Sequence, residues 1–174
     1  MSGVEVIAAS AGQRGVIENL FQLYVHDFSE QWAGAADGEL GEDGRFAAYP
    51  LDSYWRDSSR VPLLLRADGR LAGFALLNAM SHAGAAVDRN MAEFFIARKH
   101  RRRGVGADAA GVILARYGGV WEIAVARRNL VALAFWRRVV EGNPKVRDLE
   151  EIDLRTPVWN GPVFRFRVGD AAGA

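Results

Sequence analysis

The sequence predicts an α/β fold, a mixed sheet with helices on both faces. Three observations predict it. The apolar, aromatic run Met91-Ala92-Glu93-Phe94-Phe95-Ile96-Ala97 reads as a central strand, and a basic turn, Arg98 through Arg103, leads from it into a helix that opens at Gly104 and Gly106. Two further apolar runs, residues 61–66 and 70–79, are joined by Asp68-Gly69, a dipeptide that tolerates positive φ at both turn positions and so marks a hairpin. Segments of helical length at 14–30, 104–117 and 129–140 are interleaved with the strand-like runs, the pattern of a sheet covered by helices.

Taken in order, Val4–Ala8 reads as a short first strand. Residues 14–30 follow as a helix, with Val16, Leu20, Leu23 and Phe28 at roughly helical spacing and Ile17, Phe21 and Tyr24 beside them. Residues 34–44, rich in Gly, Ala, Asp and Glu, are expected to form a mobile loop. A second short helix is expected over 50–57, with Pro50 near its first turn. Phe46, Tyr49, Tyr54 and Trp55 around it suggest a lid or wall. The hairpin comes next, then a Gly/Ala-rich connection at 81–87 and the central strand at 90–97. Gly118-Gly119 stops the helix over 104–117, a strand covers 120–126, and Gly142-Asn143-Pro144 ends the helix over 129–140. Residues 151–156 and 162–168 read as terminal strands.

Composition narrows the function classes. A chain of 174 residues, half of them hydrophobic and a quarter charged, suits one globular domain with a substantial core. The net charge of +1 makes the cluster at 98–103 a local feature and argues against nucleic acid as a partner. The absence of cysteine excludes disulfides, thiolate metal sites and a cysteine nucleophile, and fits a cytoplasmic location. The N-terminus lacks a signal-peptide pattern, and no apolar run approaches the ~20 residues that span a bilayer. His26, His82 and His100 are scattered, so no metal site is expected.

The turn after the central strand has the makings of an anion cradle. A helix start leaves backbone N–H groups unpaired and partly positive. Glycine lets a phosphate approach them closely, and arginines add charge and paired donors. Residues 101–107 therefore read as a pyrophosphate site. The spacing is neither the nucleoside-triphosphate loop nor the dinucleotide fingerprint, since Ala109 stands where the latter has a third glycine.

Arg101-x-x-Gly104-x-Gly106 resembles the acyl-CoA signature of the GNAT N-acetyltransferases, and Asn129-Leu130-Val131-Ala132-Leu133-Ala134-Phe135-Trp136 is similar to a later segment of that family. The resemblance covers most of the chain and is strongest from residue 61 to 140. It implies a GNAT acyltransferase fold with a mostly antiparallel mixed sheet, acetyl-CoA as acyl donor, no metal, and a primary amine of a small molecule, peptide or protein as acceptor. It implies that the central strand and the next one splay. Backbone groups of Phe94, Phe95 and Ile96 would then pair with the pantetheine arm. Amides of Arg102, Arg103, Gly104, Val105, Gly106 and Ala107 would hold the pyrophosphate, and Arg101 or Arg103 would reach the 3′-phosphate or face water. Asn129 would bond the pantetheine arm, serve as an ordinary N-cap, or both.

The resemblance also exposes departures. Trp136 stands where many relatives have a tyrosine acid, and an indole N–H donates a hydrogen bond without giving up its proton. Ala124 stands where many relatives have a glutamate base. Glu93 on the central strand is the foremost base candidate, with Glu122 behind it and His26 as a further one. The Ile96 amide is expected to polarise the reacting carbonyl. Tyr24, Asp27, Tyr54 and Trp55 are expected around the acceptor. Without a cysteine to carry an acyl group, direct transfer in a ternary complex is expected. A non-catalytic acyl-CoA-binding or sensor module is the alternative. Many relatives dimerise, and the terminal strands at 151–168 offer an edge for a homodimer.

Overall fold

Alternation of apolar side chains along the strands builds two cores, one on each face of a single sheet. In β2 (Val61–Ala67), Leu63 and Leu65 point to one face and Leu64 to the other. In β3 (Arg70–Asn78), Ala75 and Leu77 oppose Phe74 and Leu76. Asp68 and Gly69, at φ 50° and 72°, make the predicted two-residue turn between them.

The computed structural model describes residues 3–32 and 38–169; the part of the predicted loop that includes Asp37 lies outside the described residues. The remaining strands are β1 (Val4–Ala8), β4 (Arg89–Ile96), β5 (Gly119–Ala124), β6 (Val146–Arg155) and β7 (Asn160–Val168). The helices are α1 (Arg14–Ser29), α2 (Val105–Arg116) and α3 (Leu130–Gly142). The strands lie in the order β1-β2-β3-β4-β5-β7-β6, and every neighbouring pair is antiparallel except β4 and β5. Ile113 of α2 and Trp136 and Val140 of α3 fill one core against Trp121 and Phe166. Ile17, Leu20, Phe21 and Val25 of α1 fill the other against Leu64, Phe74, Leu76 and Phe95. This is the mixed, mostly antiparallel sheet with helices on both faces that the sequence predicts.

Three local readings are corrected. The buried stripe of α1 starts from Ile17, which leaves Leu23 54% exposed. The short helix expected at 50–57 is a single 3-10 turn, Asp52–Trp55. Strand β6 begins at Val146 instead of residue 151.

Two features of β4 position the site. Leu76 pairs with Glu93 and Leu77 with Met91, so Ala92 is an extra residue in β4. A bulge reverses the side-chain alternation and bends the strand. Met91, Phe94 and Ile96 therefore join the α2/α3 core, while Phe95 and Glu93 face α1. Second, β4 and β5 share only two register pairs, Arg89 with Trp121 and Asn90 with Glu122. Beyond them the two strands part.

Candidate active site

The parting of β4 and β5 leaves backbone groups without a strand partner. Ala97 N–H bonds Ala72 O on β3 at 2.8 Å, so by alternation the Ile96 peptide groups face the opened side. The Ile96 carbonyl accepts from Arg101 Nε at 2.6 Å. Phe94 stacks on Phe135 at 5.8 Å and meets the Trp136 ring edge-on at 5.1 Å, which makes an aromatic wall from α3. Trp136 is buried, and its indole N–H makes no hydrogen bond among the described residues.

At the end of β4 the chain passes through a 3-10 turn, Arg98–His100, and two left-handed residues, Arg102 at φ 58° and Gly104 at φ 82°. Left-handed residues set among right-handed ones turn successive N–H groups toward one concavity. The first helical bond of α2 runs from Asp108 N–H to Gly104 O at 2.9 Å, so the amides of residues 102–107 have no acceptor among the described residues. Arg102 and Arg103 are exposed and form no ion pair among them. A Cβ on Gly106 would lie 3.3 Å from the Phe135 ring and 3.5 Å from Ile96 Cγ1, so a side chain here would press on the α3 contact and the ring would have to shift by a few tenths of an ångström. The loop presents unpaired donors, excess positive charge and little bulk, the combination that holds a phosphate chain.

Glu93 occupies the opposite face of β4. Tyr24 Oη donates to its Oε2 at 2.6 Å. The Tyr24 ring is packed by Phe21, Phe28, Phe74 and Phe95, with centroids 5.3, 4.7, 5.9 and 6.0 Å away. Burial among these rings pushes the Glu93 carboxyl up to about 7, against the pull of hydrogen bonds from Tyr24 and, more loosely, Tyr49. Burial, and next the Glu93 charge, push the Tyr24 and Tyr49 hydroxyls far up, so both stay protonated as donors. Burial also raises Tyr54. Its hydroxyl lies near Tyr49 without closing a hydrogen bond of ordinary geometry, and Arg60 sits 5.4 Å from its ring. No arginine, lysine or histidine among the described residues pairs with Glu93. A partly exposed carboxyl that changes charge near neutrality, without a cation to fix it, is equipped to accept a proton.

Other candidates are placed differently. His26 is exposed beside Phe46, at 6.4 Å between rings, and its two-residue offset from Tyr24 turns it away from Glu93. Trp55 Nε1 donates to Ala9 O at 2.9 Å and braces the end of β1. Asn129 is the N-cap of α3, accepting from Ala132 N–H at 3.0 Å. The Asp27 carboxylate receives Arg98 and Arg101, and the Arg101 guanidinium thus turns toward α1. Glu122 is fully buried and accepts from Ser81 Oγ, His82 N–H and Arg165 Nη1, each at 2.8 Å. Arg165 also donates to Ala86 O at 2.9 Å, so this pair pins the β3–β4 connection to the sheet. His82 packs on Trp159 at 4.7 Å; burial lowers its pKa against the raising effect of Glu122. The residue missed as a site member is Tyr49. Its aromatic neighbourhood was visible in the sequence, but the irregular path of residues 45–51 has no period from which to read its approach to Glu93.

Among the described residues, no group of three His, Cys, Asp or Glu could hold a metal, and no helix is long and apolar enough to cross a membrane. A sequence model of the acetyltransferase (GNAT) family matches residues 17–140. A search of curated protein sequences finds no match. Solved structures share the fold. A GNAT-family acetyltransferase from Staphylococcus aureus has TM-score 0.59 at 11% identity, covering 96% of this chain and 100% of that one. The ribosomal-protein-S18-alanine N-acetyltransferase of Escherichia coli has TM-score 0.55 at 12% identity, covering 98% and 97%. A spermidine N-acetyltransferase chimera of the Vibrio cholerae and hSSAT proteins has TM-score 0.53 at 11% identity, covering 95% and 94%.

Proposed function

The chain belongs to the GNAT acetyltransferase family, and we propose that it transfers an acetyl group from acetyl-CoA directly to a primary amine, with Glu93 as the base. One observation carries the reading. The two faces of β4 present complementary equipment: an opened backbone edge that leads to unpaired amides at 102–107, and an unpaired carboxyl raised to about 7.

The residues present fit an acyl-CoA. Amides 102–107 and the exposed Arg102 and Arg103 would hold the pyrophosphate, and the free edge of β4 at Phe94 and Ile96 would pair with the pantetheine arm. Phe94, Phe135 and Trp136 would flank it and keep water from the fork. When bound, the donor supplies an acetyl group activated as a thioester. The Ile96 amide, directed into the fork, is placed to polarise the acetyl carbonyl. The Trp136 N–H is available as a hydrogen-bond donor and not as an acid. Glu93 takes the proton that an ammonium must lose before it is nucleophilic, directly or through one water, while Tyr24 and Tyr49 hold the carboxylate in place. No cysteine is present to carry the acetyl group, so the amine takes it within a ternary complex. The relatives named above include one named for spermidine and one for a protein alanine, and the acceptor here is assigned no further than a primary amine. The exposed edge strand β6 would be the place for a second copy to pair.

The test is release of free CoA thiol from acetyl-CoA on addition of amines: a diamine, an arylalkylamine and a peptide with a free N-terminus. Amine-dependent release that Glu93→Gln abolishes supports the enzyme. Tight acetyl-CoA binding with no release for any amine contradicts it and supports a sensor module.

A further inference from the structure

Asp27 stands where three parts of the molecule meet. It lies in the last turns of α1, its side chain is only 16% exposed, and it accepts from both Arg98 and Arg101. The two legs differ in weight. Arg98 is 74% exposed, and an ion pair in that setting contributes little. Arg101 is 39% exposed and is held by three contacts: the Asp27 carboxylate, the Ile96 carbonyl at 2.6 Å, and the Phe95 ring at 5.4 Å. Burial pushes the Asp27 carboxyl up, but Arg101 and then Arg98 more than offset this and hold it below the usual range, so it stays ionised.

The consequence lies in what each end of this contact controls. Arg101 immediately precedes the residues, 102–107, whose amides are unpaired. Tyr24, three residues before Asp27, shares its side of α1 and donates to Glu93 at 2.6 Å. We propose that Asp27 is a positioning residue. Through Arg101 it couples the phosphate-binding loop to the turn of α1 that sets Tyr24 on Glu93, so that occupation of the loop orders the acceptor side. This rests on the acyl-CoA reading of the loop. It removes Asp27 from direct contact with the acceptor and makes Arg101 the arm that joins the two half-sites.

The experiment is hydrogen–deuterium exchange of the full chain with and without acetyl-CoA, for wild type, Asp27→Asn, Asp27→Glu and Arg98→Ala. Each variant is compared with its own unliganded state, so a change in overall stability cancels. In wild type, acetyl-CoA is expected to slow exchange at 102–108 and also in the second half of α1, there by about tenfold, an ordinary size for coupling between sites. In Asp27→Asn the loop stays protected and the α1 response is lost. Asp27→Glu restores it, and Arg98→Ala, which removes the weaker leg, keeps it. Loop protection with no α1 response in wild type, or an equal response in Asp27→Asn, overturns the coupling alone. No protection anywhere in wild type overturns the acyl-CoA reading and the coupling with it.

Discussion

Glu93 owes its chemistry to a single inserted residue. With Ala92 bulged out, Glu93 turns to the α1 face and meets Tyr24; in regular alternation it would share a face with Met91 in the α2/α3 core. Its carboxyl, raised to about 7, is a base only above that pH. Activity is therefore expected to rise with pH through about 7, and Glu93→Gln to lower kcat/KM by roughly 10²–10⁴, the usual range for a positioned base, and to remove this limb. Because the Tyr24 hydrogen bond lowers the Glu93 pKa, Tyr24→Phe should move the limb to higher pH. The same shift has a stability consequence. A carboxyl whose folded pKa is raised binds its proton more tightly in the folded state. Its contribution is present below the unfolded value of 4.5 and is lost as pH rises through about 7. Glu93→Gln should flatten the wild-type loss of stability between pH 4.5 and 8 by up to about 3 kcal/mol, read by chemical denaturation at each pH. A Glu93→Gln variant whose stability varies with pH over that range just as wild type does would contradict the raised carboxyl.

At the scale of elements, the turn into α2 was the most legible part of the chain. Its glycines and arginines form a local pattern, and local patterns survive folding. Gly104 is left-handed, a conformation that favours glycine, and a Cβ on Gly106 would press on the Phe135 ring. Gly106→Val should weaken acetyl-CoA binding more than tenfold, the loss of a single good interaction, while circular dichroism stays unchanged. Asn129→Ala removes the α3 cap and should cost about 1 kcal/mol of stability. If acetyl-CoA affinity falls with it, Asn129 also serves the ligand. The first half of β6 was missed because Arg147, Asp148 and Glu150 interrupt any apolar alternation before residue 151; an edge strand facing water carries charge where a central one carries valine. The bulge at Ala92 and the Asp27–Arg101 pair, 74 positions apart in sequence, have no local signature, since each exists only once the strands and α1 are packed.

Across the whole molecule, a tightly built frame holds open a fork. Gly73 allows β3 and β4 to pack so closely that a Cβ there would lie 1.9 Å from Phe95 O. On the far side of the fork, Glu122 and Arg165 join β5, β7 and the β3–β4 connection. Arg165→Ala would leave Glu122 buried without its cation and is expected to destabilise the protein by about 3–5 kcal/mol, seen as a lower denaturation midpoint; a loss under 1 kcal/mol would show that water reaches Glu122. Fold order and the glycine turn into α2 were readable because they rest on periodicity and on one short motif, whereas the surroundings of Glu93 are assembled from α1, β4 and an irregular segment. The central claim is that the fork and the 102–107 loop bind acetyl-CoA. Calorimetric titration of acetyl-CoA into wild type and into a Gly104→Glu/Gly106→Glu double variant of unchanged circular dichroism tests it most directly. The account predicts stoichiometric binding by wild type that the variant loses; no binding by wild type, or equal binding by both, would contradict it.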